Sequence, residues 1–153
     1  MAWYVVKTRV RQEERAITHL ENQSFTVYCP WLTRKDGVRE ALFAGYLFIQ
    51  VDEFTQAYHR IRSTRGVQCL LKFGDWWANV EDEFIHYLQK KETGYQNVPL
   101  FQANQPVLIK DGPFKGLEAV YLCANGEERA MILLTLLNRR QTLAIQENML
   151  VAI

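Results

Sequence analysis

A row of basic side chains near the start of the chain has the spacing of a nucleic-acid contact. Arg11, Arg15 and His19 recur every four residues, and Arg9 lies just before them. Residues four apart share one face of an α-helix, so these side chains are expected along one helix surface. Arginine and histidine donate hydrogen bonds to phosphates and base edges. Acidic neighbours at 13 and 14 leave a plain solvated helix face as the alternative.

A second basic cluster lies near the middle of the chain, in the segment 60–66. Arg60, Arg62 and Arg65 lie there, and Thr64 adds a hydroxyl. The net charge of the whole chain is only +1, so any contact with nucleic acid must come from such a local patch. If folding brings the two clusters together, they form one compact basic site. From the pattern alone, nucleic-acid binding and a solvated surface are equal alternatives.

The segment 43–51 is the strongest predicted strand, and it is apolar on both faces. Alternation places Tyr46 and Phe48 on one face and Leu47 and Ile49 on the other. One face belongs to the core, and the second carries aromatic rings that also require a cover. That cover is a helix of the same domain, another protein, or an apolar stripe near the C-terminus. A sheet buried on both sides in the ordinary way fits the pattern equally well.

The sequence contains no recognisable catalytic, metal or cofactor motif. Its histidines and cysteines lie far apart along the chain: His19, His59, His86, Cys29, Cys69 and Cys123. This spacing argues against a zinc site and a disulfide framework, and it matches no nucleophile motif. We therefore predict a protein that is not an enzyme and that holds no cofactor or metal. No signal peptide and no apolar run of about 20 residues is recognisable, which predicts a cytoplasmic protein.

The elements that must position these residues alternate between strands and helices. Strands are expected at 3–7, 25–29, 43–51 and 66–73, with a polar hairpin arm at 32–40. Helices are expected around 16–20, at 52–61 and at 80–91. This order predicts an α+β sandwich.

Residues 92–105 lose the periodicity of both helices and strands. Glycine, proline and asparagine recur among them, which is typical of a linker. We therefore predict a first domain at 1–91, a linker at 92–105 and a second domain at 106–153.

The second domain is compatible with two folds. Read as strands, it contains short apolar runs at 107–110, 117–123, 130–137, 142–145 and 149–153, separated by turn residues. Five short strands in such a length predict a small β-barrel.

Read as helices, the same segment has two apolar stripes on either side of Asn125-Gly126. The stripe residues are Phe114, Leu117, Val120 and Tyr121, then Met131, Leu134 and Leu137, with Arg129 nearby. Paired leucines at 133–134 and 136–137 suit a helix better than a strand. The pattern leaves both folds open.

Several stretches, taken in order, resemble NusG-type transcription factors. They are WYVV at 3–6, RAITHLE at 15–21, LFAGYLF at 42–48, STRGV at 63–67, and DGPFKGLEAV at 111–120, which resembles the KOW motif. The resemblance spans essentially the whole chain. Within the family, GEERAM at 126–131 and the leucines after it are most similar to the RfaH group of operon-specific antiterminators.

For the first domain, the resemblance implies binding to RNA polymerase. Tyr46 and Phe48, with the neighbouring Phe43, correspond to aromatic positions that dock on the clamp helices of the β′ subunit. A monomer that bridges the clamp and the opposing β lobe would disfavour pausing by stabilising one polymerase conformation.

The resemblance also implies that the basic residues read the exposed non-template DNA strand. Arg9, Arg15, His19, Thr64 and Arg65 match the positions that do so in the RfaH group. Arg11, which the spacing argument adds, completes the predicted DNA-binding set.

For the second domain, the resemblance implies a helical hairpin packed on the polymerase-binding surface. Its release would allow refolding into the five-stranded KOW barrel, which contacts a small-subunit ribosomal protein. Glu40 and Arg129 match an ion pair that locks the domains together. The alternatives are a general NusG-like elongation factor with a permanent barrel, and a KOW-type module that binds RNA or the ribosome without polymerase.

Overall fold

The computed structural model of the chain describes residues 3–33, 36–94, 120–121 and 125–152, with side chains described for 3–33, 36–91, 120–121 and 125–139. A five-stranded antiparallel sheet forms the centre of the first domain. Its strands are β1 (Trp3–Thr8), β2 (Thr26–Tyr28), β5 (Tyr46–Gln50), β6 (Val67–Leu70) and β9 (Asn79–Val80). β1 lies in the middle, with β5 and then β2 on one side and both β6 and β9 on the other. This mixed α/β arrangement agrees with the predicted class.

The sheet is apolar on both sides, and the alternation predicted for β5 is confirmed. Phe43, Tyr46 and Phe48 belong to one apolar core, which we call the aromatic face. Leu47 and Ile49 belong to the other, which we call the aliphatic face. Since β1 alternates in the same way, the sheet needs a layer of helices or loops on each side.

Two helices cover the aliphatic face. They are α1 (Glu13–Glu21), which buries Ala16 and Leu20, and α2 (Phe54–Arg62), which buries Ala57 and Ile61. In each helix the two buried residues are four apart, as one face of a helix requires. The helices expected in these two regions are therefore confirmed, with small differences at their ends.

The polar arm at 32–40 is a two-stranded ribbon, as predicted. It is formed by β3 (Trp31–Thr33) and β4 (Arg39–Ala41), with Ala41 opposite Trp31. The guanidinium of Arg39 stacks 4.1 Å from the centroid of the Trp31 ring. The ribbon leads directly into the segment that precedes β5.

The prediction of one strand at 66–73 is wrong. After β6 the chain forms a separate hairpin of β7 (Lys72–Phe73) and β8 (Trp76–Trp77), which turns at Gly74 with φ at 58°. Val80 was expected to begin a helix, but it pairs with Trp3 in the sheet as part of β9. Its β-branched side chain is buried there, and sheet pairing outweighs the helical pattern that follows.

Helix α3 (Asp82–Gly94) follows β9 and packs Phe84, Ile85 and Leu88 on the aromatic face. The carboxylate of Asp82 accepts a hydrogen bond of 2.8 Å from the indole of Trp3, which joins the start of α3 to β1. The helix continues three residues beyond the predicted end at 91. The rest of the predicted linker, 95–105, lies outside the described residues.

The described part of the predicted second domain is helical. α4 (Gly126–Ala152) is a single helix, and Val120 and Tyr121 before it also have helical backbone. The side chain of Asn125 caps α4, because its Oδ1 accepts hydrogen bonds from the backbone N–H groups of Glu127 and Glu128 at 2.7 and 3.4 Å. The strands considered for 130–137 and 142–145 are not formed here. Residues 106–119 of both readings lie outside the described residues.

The buried stripe of α4 differs from the predicted one. Its buried apolar residues are Ala130, Leu133 and Leu137. Met131 is 63% exposed and Leu134 is only partly buried, so only Leu137 of the predicted stripe is fully covered. Arg129 is itself buried, on the same face of the helix as Leu133 and Leu137. No described helix combines the length and apolar character needed to cross a membrane.

Candidate functional site

The aromatic face is fully covered in this structure. Phe43 and Phe48 are completely buried, and Tyr46 is 8% exposed. The ring of Phe48 makes edge contacts with Phe43 and with Phe84 of α3, at centroid distances of 6.3 and 5.9 Å. The residues predicted to bind polymerase therefore form one contiguous apolar patch.

Helix α4 forms part of that cover. Ala130, Leu133 and Leu137, together with Val120 and Tyr121, join the same apolar cluster as the aromatic face. Of the covers considered from the sequence, the structure uses two at once: a helix of the first domain, α3, and a helix near the C-terminus, α4. Phe114 and Leu117, expected in that C-terminal stripe, lie outside the described residues.

Arg129 anchors the start of α4 to the first domain. Its side chain is 0% exposed, and its Nη2 lies 2.9 Å from Glu40 Oε1. Its Nε donates to the carbonyl of Leu42 at 2.6 Å, and Nη2 also reaches the carbonyl of Ala41 at 3.4 Å. The predicted pair is thus brought together. A buried guanidinium is stabilised only if its donors are paired, and here backbone carbonyls do much of that pairing.

The backbone of α4 also approaches the segment 41–45 closely. The N–H of Ala44 donates to the carbonyl of Gly126 at 3.2 Å. A Cβ added at Gly126 would lie 3.3 Å from both the Cβ of Ala44 and Nη2 of Arg129. A side chain at this position would therefore require its neighbours to shift by a few tenths of an ångström.

The first domain supports the segment 41–45 by its own hydrogen bonds. The N–H of Leu42 donates to the carbonyl of Pro30 at 2.9 Å, and that of Gly45 to the carboxylate of Glu13 at 2.9 Å. The carbonyl of Gly45 accepts from the N–H of Thr8 at 2.8 Å. These bonds hold the segment to β1, α1 and the residue before the ribbon, in addition to its bonds with α4.

Burial also affects the ionisation of Tyr46. Removal of its phenol from water raises the pKa above the ordinary 10.0, and the neighbouring Cys69 raises it further. The cause is that a phenolate is poorly solvated under an apolar cover.

The two basic clusters converge at one end of the sheet. The N–H of Arg9 donates to the carbonyl of Gly66 at 2.8 Å. Gly66 has φ at 89°, and a Cβ there would lie 2.7 Å from the backbone nitrogen of Ala16. This close approach of the loop 63–66 to α1 places Arg65 beside the helix that carries Arg15. Arg9, Arg15 and Arg65 are exposed, and His19 is partly exposed.

Two members of the predicted DNA-binding set, Arg11 and Thr64, do not join the exposed side chains of this patch. Arg11 precedes α1, in a left-handed conformation with φ at 59°, so it does not continue the helical row. It lines a cleft of about 620 Å³ with Arg39, Glu40 and Gly126 instead. The helix begins only at Glu13 because residues 9–12 form a turn, in which Gln12 N–H donates to the carbonyl of Arg9 at 3.0 Å.

The hydroxyl of Thr64 is engaged inside the protein. It donates to the carbonyl of Arg60 at 2.7 Å and accepts from the side-chain amide of Gln23 at 2.8 Å, and Thr64 is 7% exposed. Its role in this structure is to join the ends of α1 and α2. Arg60 has a similar role, since it donates to the carbonyl of Gln23 at 3.2 Å and lies over the ring of Phe25.

Sequence reasoning missed the carbonyls of Ala41 and Leu42 as part of the contact with Arg129. No pattern of side chains marks a backbone acceptor, so the sequence held no signal for them. Glu13, which fixes Gly45, was treated only as an acidic neighbour of the basic row. Within the described residues, no group of three or more histidine, cysteine or acidic side chains is arranged to hold a metal ion.

Comparison with known proteins matches residues 1–89 to the family model described as transcription termination factor NusG. Over 167 aligned residues, the chain is 29% identical to the transcription termination/antitermination protein NusG of Thermus thermophilus, with 90% of each protein covered. A solved structure described as domain interaction in Thermotoga maritima NusG is similar with a TM-score of 0.48 and 20% identity. That match covers 67% of this chain and 63% of the other, so the chain spans less than two thirds of that protein's length.

Proposed function

Because the chain belongs to the NusG family of transcription termination factors, we propose that it binds RNA polymerase and suppresses pausing and termination. More narrowly, it acts as an operon-specific antiterminator of the RfaH group, in the cytoplasm and as a monomer. The aromatic face of Phe43, Tyr46 and Phe48 is the surface that docks on the clamp helices of the β′ subunit. The protein performs no chemistry; it stabilises one polymerase conformation by binding it preferentially.

The observation that carries this proposal is the cover on the aromatic face. Helix α4 occupies the surface that polymerase would need, through Leu133 and Leu137 and through the buried Arg129. Helix α4 and polymerase cannot occupy the same surface at once, so polymerase binding requires displacement of α4. This supports an autoinhibited factor, in which the Glu40–Arg129 pair helps to keep the closed form.

The basic patch is proposed to select the target. Arg65 lies in the loop 63–66, the backbone of Arg9 is bonded to Gly66 of that loop, and Arg15 and His19 lie on α1, which the loop approaches. All four face solvent at least in part. An exposed single DNA strand presents phosphates and base edges that arginine and histidine can bind. Contact with the non-template strand would add to the polymerase contact and supply the energy that displaces α4.

The released second domain is proposed to refold as a KOW barrel and to contact a small-subunit ribosomal protein. Five apolar runs in 107–153 supply the strands that such a barrel needs. A segment with two competing folds responds to small changes in its contacts, because a few kcal/mol shift a two-state equilibrium almost completely.

Binding to core RNA polymerase tests the proposal. Leu133→Asp places a charge under the cover and should raise the affinity of the full chain about tenfold or more, which corresponds to about 1.4 kcal/mol. Met131→Asp is the matched control, because it adds the same charge to the exposed side of the same helix. Adding Tyr46→Ala to Leu133→Asp should remove the gain. Equal affinities for the Leu133 and Met131 variants would contradict an autoinhibitory role of α4.

The nucleic-acid contact needs a separate test. Arg65→Ala should weaken binding to a transcription complex that exposes its non-template strand but not binding to core polymerase alone. Arg62→Ala serves as the control, since Arg62 is also exposed and is not among the predicted contacts. An equal loss for both variants would indicate general charge attraction rather than a site.

A general NusG-like elongation factor with a permanent barrel is the second candidate, favoured by the 29% identity to the Thermus protein. Helix α4 favours the first candidate, since a permanent barrel would contain no such helix. NMR secondary structure of residues 106–153, free and within the intact chain, separates the two. Strands in both settings would support the general factor.

A further inference from the structure

The acceptors around Arg129 form a defined binding site for a guanidinium group. Glu40 Oε1 and the carbonyls of Ala41 and Leu42 accept hydrogen bonds from it at 2.9, 3.4 and 2.6 Å. Together they bind two different nitrogens of one side chain. We call these three acceptors the guanidinium pocket.

The guanidinium pocket belongs to the first domain and is held in shape by it. Ala41 is paired with Trp31 across the ribbon, and the N–H of Leu42 is bound to the carbonyl of Pro30. Downstream, Gly45 is fixed by Glu13. These contacts do not involve α4, so they continue to hold the backbone at 41–45 when α4 leaves.

The pocket is continuous with the aromatic face. Leu42 and Phe43 are adjacent in the chain, and both are buried in the cluster that contains Tyr46 and Phe48. A partner that covers the aromatic face therefore also covers the pocket. It would take a carboxylate and two carbonyls away from water, and buried acceptors left without donors weaken binding strongly.

We propose that the guanidinium pocket also binds an arginine of the polymerase surface that docks on the aromatic face, so that Arg129 occupies the place of a partner side chain. This inference rests on the proposed function. Arginine is the expected residue, because its planar fork offers donors to several acceptors at once. Lysine carries a single nitrogen and cannot reproduce the separate bonds of Nε and Nη2.

The test compares full-length variants that lack the internal arginine. Arg129→Ala empties the pocket, and Arg129→Ala/Glu40→Gln then removes the charge of the pocket. Arg129→Ala/Glu14→Gln is the matched control, because it makes the same chemical change at a carboxylate whose side chain is 74% exposed. Affinity for core RNA polymerase without nucleic acid is measured for all three, together with their circular dichroism.

If a polymerase arginine binds the pocket, Glu40→Gln should weaken the affinity for polymerase about tenfold or more in the Arg129→Ala background, while Glu14→Gln should have little effect. Ethylguanidinium at millimolar concentration should also weaken binding by Arg129→Ala, and by the Glu40→Gln double variant much less. Equal affinities of the two double variants would overturn the inference while leaving the proposed function intact.

Absence of polymerase binding by every variant would overturn both the proposed function and this inference. If Arg129→Ala fails to fold, Leu133→Asp supplies the open background, since it changes α4 without changing the pocket. The same comparison of Glu40→Gln with Glu14→Gln then decides the question.

Discussion

The two faces of the central sheet are both buried, yet they are covered in different ways. The aliphatic face is covered by α1 and α2, each adjacent in sequence to strands that it covers, and aromatic rings such as Phe54 of α2 also pack there. The aromatic face is covered partly by α4, whose anchor Arg129 is 87 residues from the carbonyl of Leu42 that it binds. A buried charge adds little net stability compared with apolar packing. The comparison supports the proposal that the first cover is part of the fold and that the second is exchangeable.

The largest expected effect uses two leucines that are both 0% exposed, Leu20 on α1 and Leu133 on α4. Leu20→Ala should lower the free energy of unfolding of the sheet by about 2–5 kcal/mol, because it leaves a cavity in the core. Leu133→Ala should instead release α4 and change the unfolding of the sheet far less. Urea denaturation with hydrogen exchange measures both. A loss of sheet stability in Leu133→Ala as large as in Leu20→Ala would make α4 part of the same cooperative unit.

A smaller effect is expected from Glu40→Ser. The Glu40 side chain is 28% exposed, and its loss removes the carboxylate that pairs with the buried Arg129. We expect docking of α4 to weaken by about 1–3 kcal/mol, the cost of one unsatisfied buried group. The docked fraction is read from NMR signals of residues 126–139. Glu14→Ser, which breaks the exposed pair with Arg39, should change docking little; an equal effect of both variants would contradict a specific lock.

Removal of the cap of α4 should have a further, smaller effect. Asn125→Ala loses the hydrogen bonds to the first turn and should destabilise the helix by about 1 kcal/mol. Gln12→Ala is its counterpart on the aliphatic side, because Gln12 precedes α1 without a side-chain capping bond. Helicity and docking measured by NMR should fall in the first variant only. A similar loss in both would show that capping does not distinguish the two covers.

The smallest effect concerns pH. Burial raises the pKa of Tyr46 in the folded chain, so the folded phenol keeps its proton at a pH where the unfolded one ionises. The contribution of Tyr46 to the free energy of unfolding is therefore constant below pH 10.0 and falls as the pH rises above it. Tyr46→Phe should reduce that alkaline loss. In Glu40→Ser, ring signals of Tyr46 should titrate at a lower pH than in the wild type; an unchanged titration would indicate that α4 is not the source of the burial.

Local periodicity was sufficient to predict much of the first domain. The alternation of Tyr46, Leu47, Phe48 and Ile49 and the spacing of Ala16 and Leu20 both report which side of an element is buried. The pairing of Val80 with Trp3 was missed, because a two-residue strand has no period of its own.

The remaining errors concern contacts between distant segments. The contact between Thr64 and Gln23 was missed, because Gln23 approaches Thr64 only once α1 and α2 have packed. The predicted buried face of α4 was wrong for the same reason. Arg129 is buried and bonded to a distant backbone carbonyl, that of Leu42, whereas Met131, which was predicted to be buried, is exposed. Residues that lie 89 positions apart share no local pattern, so the pair of Glu40 and Arg129 was predicted from the family resemblance and not from spacing. The backbone acceptors of Arg129 have no sequence signature and were not predicted.

The position of α4 on the same chain as the aromatic face has a consequence for dosage. An internal cover is always present at a fixed effective concentration, so dilution of the protein does not expose the face. A partner bound from solution, by contrast, depends on its own abundance. If polymerase binds this face as proposed, its affinity must exceed a threshold set by the intramolecular contacts of α4, such as those of Arg129, and the proposed nucleic-acid contact would lower that threshold locally. Under that proposal, binding would depend on where the partner is encountered rather than on how much of this protein the cell contains.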